Sequence, residues 1–238
     1  ELSLVDKIVD INEVKKYDVI FLAIPVDGII AALQSLVGVK ESATIIDLGS
    51  TKAKIIASVP HSIRKNFVAA HPMTGTENFG PSAAVENLYD DKVVVLCDIE
   101  NSGEHQVEVA KRIFKALHMK KHFMPAHQHD RHAAFISHMP HAIAYSLANT
   151  VMKQEQKHTI LALAAGGFRS MSRLAKSSAF MWEDIFRQNR ENLLEAIELF
   201  EDELKLLKGY IENDEWDKVY KNIEAGIIKA IVKLKVCA

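Results

Sequence analysis

At 238 residues, with 48% hydrophobic side chains, the chain is long enough to bury one large core or two ordinary ones. Its 29 basic and 31 acidic side chains leave a formal net charge of -2, which gives no basic surface for nucleic acid or an anionic membrane. Cys97, in an apolar run, and Cys237, near the end, make no disulfide framework. No apolar run reaches the roughly 20 residues that span a bilayer, so the expectation is a globular protein of the reducing cytoplasm.

Glu1-Leu2-Ser3-Leu4-Val5-Asp6 lacks the basic start and apolar centre of a signal peptide and reads as the middle of an element, so further sequence is expected upstream. The first half then alternates short apolar runs with amphipathic segments, which predicts a parallel sheet with crossover helices. Val19-Ile20-Phe21-Leu22-Ala23-Ile24, ending at Pro25, is predicted as a strand buried on both faces, followed by a helix over 29–37 that stops near Gly38. Thr44-Ile45-Ile46-Asp47-Leu48 is the next strand, broken by Gly49-Ser50-Thr51 before a helix over 52–58. A third strand over 66–70 ends at His71-Pro72; a fourth over 92–97 precedes a helix over 104–117, and 122–124 closes the series as an edge strand. In such sheets ligands bind beyond the carboxyl ends of the strands, where Pro25, Gly49-Ser50 and His71-Pro72 fall.

Beyond His127 the period changes to 3.6 and a helical half begins. One long segment over 127–153 is interrupted by Pro140, a second over 157–165 is stopped by Gly166-Gly167, and residues 168–175 carry Arg169 and Arg173. A single long helix over 181–210 is predicted to turn Ile185, Leu193, Leu194, Ile197, Leu204 and Leu207 to one side, and a last helix starts at Asp214. The fold class is therefore α/β plus all-α: an incomplete Rossmann-type parallel sheet domain over residues 1–126 and a helical dimerisation domain over 127–238. Two long apolar-faced helices at the end predict a homodimer.

The stretch Ser137-His138-Met139-Pro140-His141 joins the halves with two imidazoles at i and i+3, which share a helix face. On spacing alone this pair serves packing as readily as chemistry. His127, His129, His132, His138 and His141 in one segment also admit a hydrolytic metal site, although only Asp130 stands near as a carboxylate partner.

Five features occur in order: Asp47-Leu48-Gly49-Ser50; His71-Pro72-Met73-Thr74-Gly75-Thr76-Glu77; His129-Asp130; Ser137-His138-Met139-Pro140-His141; and Gly166-Gly167-Phe168 with Arg173 and Met181-Trp182. From about Asp18 to about Asn192 the chain resembles the prephenate dehydrogenase family. The resemblance implies NAD(P)-dependent oxidative decarboxylation of prephenate to 4-hydroxyphenylpyruvate in tyrosine synthesis. It implies that His71 is the catalytic imidazole that accepts the substrate hydroxyl's hydrogen bond, and that Ser50 orients this ring near the nicotinamide. It further implies substrate binding by Arg173 through a carboxylate, by His141 and His138, and by Glu77 at the pocket mouth. Ile24, Pro25, Gly49 and Ser50 remain for the nicotinamide side of the cofactor. Ser170 departs from the aspartate of several relatives, and Arg169 and Lys176 form either an electropositive rim or a solvated face.

No Gly-x-Gly-x-x-Gly occurs, and Gly28, Gly38 and Gly49 are too widely spaced to supply one. The first strand, its glycine loop and the acidic residue that reads the ribose are expected upstream, which predicts weak dinucleotide binding by this stretch. Prephenate against arogenate, and NAD against NADP, stay open; tyrosine, as a possible product inhibitor, would act at the active site itself. Two further readings stand beside the first: a β-hydroxyacid-type dehydrogenase, which would use a lysine base, and a non-catalytic remnant that binds an aromatic acid.

Overall fold

Five strands make one sheet in the order β1 (Val19–Leu22), β2 (Thr44–Asp47), β3 (Phe67–Pro72), β4 (Val93–Cys97), β5 (Lys120–Met124). They come from a computed structural model that describes residues 5–76 and 80–236, with side chains at all of these except 81 and 228–236. Contacts divide the chain into two compact units, Glu1–Leu193 and Leu194–Ala238.

Three of the pairings are parallel and β3 with β4 is antiparallel, a departure from an all-parallel sheet. The connection over 73–92 carries only a 3-10 turn, Pro81–Ala83, among its described residues, so no crossover helix returns β4 to the parallel direction. Strand alternation sorts the core into two layers. Ile20, Leu22, Ile45, Phe67 and Ala69 pack with Val26, Ile29 and Leu33 of α2 (Val26–Ser35) and Ile55 of α3 (Ala53–Ala57). Ile46, Val68, Val94 and Leu96 pack on the other face with Ala110 and Phe114 of α4 (Glu104–Ala116). A short helix, α1 (Ile11–Val14), precedes β1, capped by the Asp10 side chain, which accepts the Asn12 and Glu13 N–H groups.

The first strand is buried on one face and not on both. Phe21 is 43% exposed, because β1 is the sheet edge and α4 covers the strands further in. The following helix starts at Val26, three residues earlier than the period predicts, because Pro25 stands at its N-cap with φ -53°.

Beyond β5, α5 (Ala126–Ala133) runs into a π-helical turn, Ala134–His138, and then α6 (Met139–Met152). Pro140 cannot donate a backbone hydrogen bond to the turn before it, and the chain absorbs that loss by widening 134–138. α7 (Lys157–Ala162) follows, and Gly166-Gly167 open α8 (Gly166–Ser172) where they were expected to end a helix. Glycine is tolerated there because the first N–H groups of a helix lack intrahelical partners in any case. Arg173–Lys176 is a 3-10 turn.

The single helix expected over 181–210 is two, α9 (Ala179–Gln188) and α10 (Arg190–Glu212), broken at Asn189 with φ -115° and ψ 33°. Its amide is committed to other partners, Asp130 O and His138 Nδ1, and a side chain so engaged competes with helix continuation. In the second unit the last helix, α11, spans Trp216–Val236, and Trp216, Tyr220, Ile223 and Ile227 recur on it at helical spacing, all exposed. Leu204 of α10 is exposed as well. Among the described residues no helix is long and apolar enough to cross a membrane.

Candidate active site

Sheet register brings three loops together. Leu22 pairs with Asp47 and Asp47 with Ala69, so Ala23-Ile24-Pro25, Leu48-Gly49-Ser50 and His71-Pro72 leave the same end of adjacent strands. Two cavities open there. One, of about 720 Å³, is lined by Ile24, Pro25, Leu48, Gly49, Thr74 and Asp184. The other, of about 490 Å³, is lined by His138, His141, Arg173, Ser177 and Trp182. Ser50, His71, Pro72 and Thr74 line both, so His71 stands at the place where the two volumes meet. The space a side chain at Gly49 would need is taken by Ile55, whose Cδ1 would lie 2.7 Å from the added carbon, so only bare backbone fits between α3 and the cavity.

His71 is held from behind. Its Nδ1 lies 2.8 Å from His129 Nε2, and His129 Nδ1 lies 2.8 Å from Asp130 Oδ1. Asp130 accepts the backbone N–H groups of Lys52 (2.7 Å) and Ala53 (2.8 Å), which fastens α5 to the start of α3. Lys52 itself is fully buried, paired with Asp47, and donates to Ala70 O at 2.7 Å, one residue before His71. Burial first, then electrostatic coupling to His129, the Lys52 ammonium and His138, holds the His71 pKa well below the ordinary histidine value. The ring is therefore neutral at neutral pH, as a base must be.

The helical wall is fixed with equal care. Asn192 Nδ2 donates to Asn189 Oδ1 at 2.7 Å, which orients the Asn189 amide so that its nitrogen meets Asp130 O (2.7 Å) and His138 Nδ1 (3.1 Å). His138 Nδ1 must then accept, leaving Nε2–H as a donor, and burial pushes its pKa down to about 4. His141 Nδ1 donates to Ser137 O at 2.8 Å and the ring stacks on Trp182, with centroids 3.5 Å apart. Burial, helped by the charge of Arg173, also lowers the His141 pKa, against the Ser137 hydrogen bond. The Trp182 indole N–H is buried without a hydrogen-bond partner among the described residues, which leaves a donor beside the arginine-lined cavity.

The structure thus gathers His71, Ser50, His138, His141 and Arg173 around one cavity, and Ile24, Pro25, Gly49 and Ser50 around the other. Glu77 lies outside the described residues. Arg169, Ser170 and Lys176 are exposed and line neither cavity, and His127 and His132 face away as exposed residues of α5. Among the described residues no group of three or more His, Cys, Asp or Glu side chains is arranged to hold a metal ion. Sequence reasoning assigned no role to Lys52 or Asp184. Asp184, buried on α9, accepts the Asp27 N–H and bonds Arg187 and Gln188, tying α9 to the start of α2. The signal for Lys52 was present in Asp47, a carboxylate inside an apolar strand, which demands a buried partner.

A sheet half whose strand ends open on an apolar cavity, and a helical wall that closes an arginine-bearing one around the same imidazole, define a two-part dehydrogenase architecture. The chain belongs to the prephenate dehydrogenase family. The family's nucleotide-binding domain matches residues 1–122 and its dimerization domain residues 125–225. The prephenate dehydrogenase of Bacillus subtilis is 29% identical over 228 residues, covering 93% of this chain and 62% of the relative's length. The cyclohexadienyl dehydrogenase of Zymomonas mobilis is 30% identical, covering 94% and 78%. A crystal structure of the Aquifex aeolicus prephenate dehydrogenase in complex with hydroxyphenyl propionate and NAD+ superposes with a TM-score of 0.87 at 30% identity, over 94% of this chain and 80% of that one.

Proposed function

We propose that the protein catalyses the NAD(P)-dependent oxidative decarboxylation of prephenate to 4-hydroxyphenylpyruvate. The observation that carries this reading is the sharing of one neutral imidazole, His71, between an apolar cavity and an arginine-bearing one. The Aquifex relative holds an aromatic carboxylate and NAD+, which are the two chemistries these cavities suit.

The apolar walls at Ile24, Pro25 and Leu48, the bare backbone of Gly49 and the hydroxyl of Ser50 fit a nicotinamide ring with its amide. Bound there, the cofactor would accept hydride from the ring carbon of prephenate that carries the hydroxyl. His71 takes the hydroxyl proton on Nε2, the nitrogen not engaged by His129, as the C–O bond becomes a carbonyl. Loss of carbon dioxide returns an electron pair to the ring, the carbonyl oxygen becomes a phenol oxygen, and His71 gives its proton back, so the sequence closes without net proton uptake. Ser50, which lines both cavities with His71, orients that ring near the nicotinamide, and Arg173 holds a substrate carboxylate with two parallel bonds. His141, whose Nδ1–H is spent on Ser137 O, meets an anion through Nε2 only as imidazolium; His138 offers a neutral N–H donor and keeps the wall in register. Glu77, outside the described residues, keeps the substrate-binding role that the family resemblance implies for it.

The division into a cofactor half over 1–126 and a helical half over 127–238 is supported by the change from strands to helices near Pro125, the N-cap of α5. The exposed apolar stripe of α11 supports a homodimer through the helical half. Tyrosine, an aromatic carboxylate itself, would compete at the same cavity, and Cys97, free and buried, fits a cytoplasmic protein. Assaying the intact protein with prephenate and arogenate, each with NAD and NADP, tests the reading. Reduction of nicotinamide with release of 4-hydroxyphenylpyruvate is expected from prephenate; no turnover with any pair would overturn it.

A further inference from the structure

We infer that His129 and Asp130 are positioning residues for His71, forming a relay that fixes its tautomer and gives the proton's charge a place to go. The inference rests on His71 being the base.

The direction of each bond follows from its partners. Asp130 accepts backbone N–H groups on both carboxylate oxygens, so it stands as an anion, and the proton between it and His129 belongs to His129 Nδ1. The neutral His129 ring then has a lone pair on Nε2, which makes His71 Nδ1 the donor across their 2.8 Å contact. His71 is left with a bare lone pair on Nε2, the atom a hydroxyl proton must reach. All three groups are anchored: His129 and Asp130 are buried on α5, and Asp130 is bonded to the start of α3.

The relay answers a physical difficulty. The groups facing His71 are Lys52 beyond the strand end, His129 on α5 and His138 in the π turn; burial of the ring and the fixed charge of the Lys52 ammonium disfavour a positive charge on it, and a second proton on either neighbouring imidazole would add to that. A proton arriving on His71 Nε2 would therefore sit in an unfavourable field. Passing the Nδ1 proton to His129 Nε2 leaves His71 neutral and makes His129 an imidazolium directly against the Asp130 carboxylate. Reversal of both transfers returns the proton to the phenol oxygen, so no atom or charge is left over.

Three forms of the intact protein test this. His129→Phe keeps the ring's volume and removes both bonds; it should lower kcat at least about 100-fold while the prephenate Kd stays within about threefold. His129→Gln offers His71 an amide oxygen but cannot take a proton, and should recover part of that loss, ending about 10-fold below the parent. A His129→Phe protein with kcat within twofold of the parent overturns the relay, while His71→Asn with undiminished turnover would instead remove the base itself. Should His129→Phe not fold, nitrogen NMR of the unaltered protein at neutral pH decides: a protonated Nδ1 and bare Nε2 on His71 support the inference, and the opposite tautomer ends it.

Discussion

Lys52 carries more of the site than its place in the chain announces. Its ammonium is fully buried against Asp47 and Ala70 O, between the ends of β2 and β3, and it feels no solvent screening. Burial pushes the Asp47 carboxyl up and the lysine beside it pulls the other way, so each charge is tolerable only with the other. Lys52→Met should cost roughly 3–5 kcal/mol of stability, because it strands a buried carboxylate, and adding Asp47→Asn should restore much of it. Denaturant melts of the two variants check this, and equal stability of Lys52→Met and the parent would contradict the assignment. At this level the sequence was informative about residue type and poor about partners. Motif order singled out Ser50, His71 and Arg173, which line one cavity, and strand ends told where the first two would lie. The Asp130 bonds to Lys52 and Ala53 span more than 70 positions in the chain, and no periodicity carries such a pairing.

Among the elements, those made by local pattern matched expectation to within a few residues: β2, β3, β4 and α4 follow from short β-branched runs and one clear amphipathic period. The differences arise where tertiary partners override local preference. Asn189 gives its amide to Asp130 and His138 and breaks a helix that apolar spacing alone would continue. Pro140 kinks its segment as expected, but the adjustment lies upstream as a π turn, which turns His138 inward until it is 1% exposed. That burial has a pH consequence. With the His138 pKa depressed to about 4, the unfolded chain binds a proton that the folded one refuses, between the ordinary histidine value near 6.5 and about 4. Stability is therefore full at neutral pH and falls as pH drops through that window, by on the order of 3 kcal/mol for this group. Urea midpoints across the window should fall for the parent and fall less for His138→Gln; identical slopes would exclude His138 as the source.

At the level of the whole molecule, one apolar helical face, that of α11, stands open to solvent. Trp216, Tyr220, Ile223 and Ile227 stand exposed in one stripe on α11, more apolar surface than a lone helix normally shows to water. If two copies pair through this stripe, replacing Tyr220 and Ile227 together by Glu should halve the mass seen in sedimentation, whereas an unchanged mass would contradict that pairing. The two cavities meet at His71. The most direct measurement is the pair of values kcat and prephenate Kd for His71→Asn beside the parent, with NAD saturating. With His71 as the base, kcat should fall roughly 10³-fold with prephenate binding nearly unchanged. Turnover within a few-fold of the parent would contradict that role.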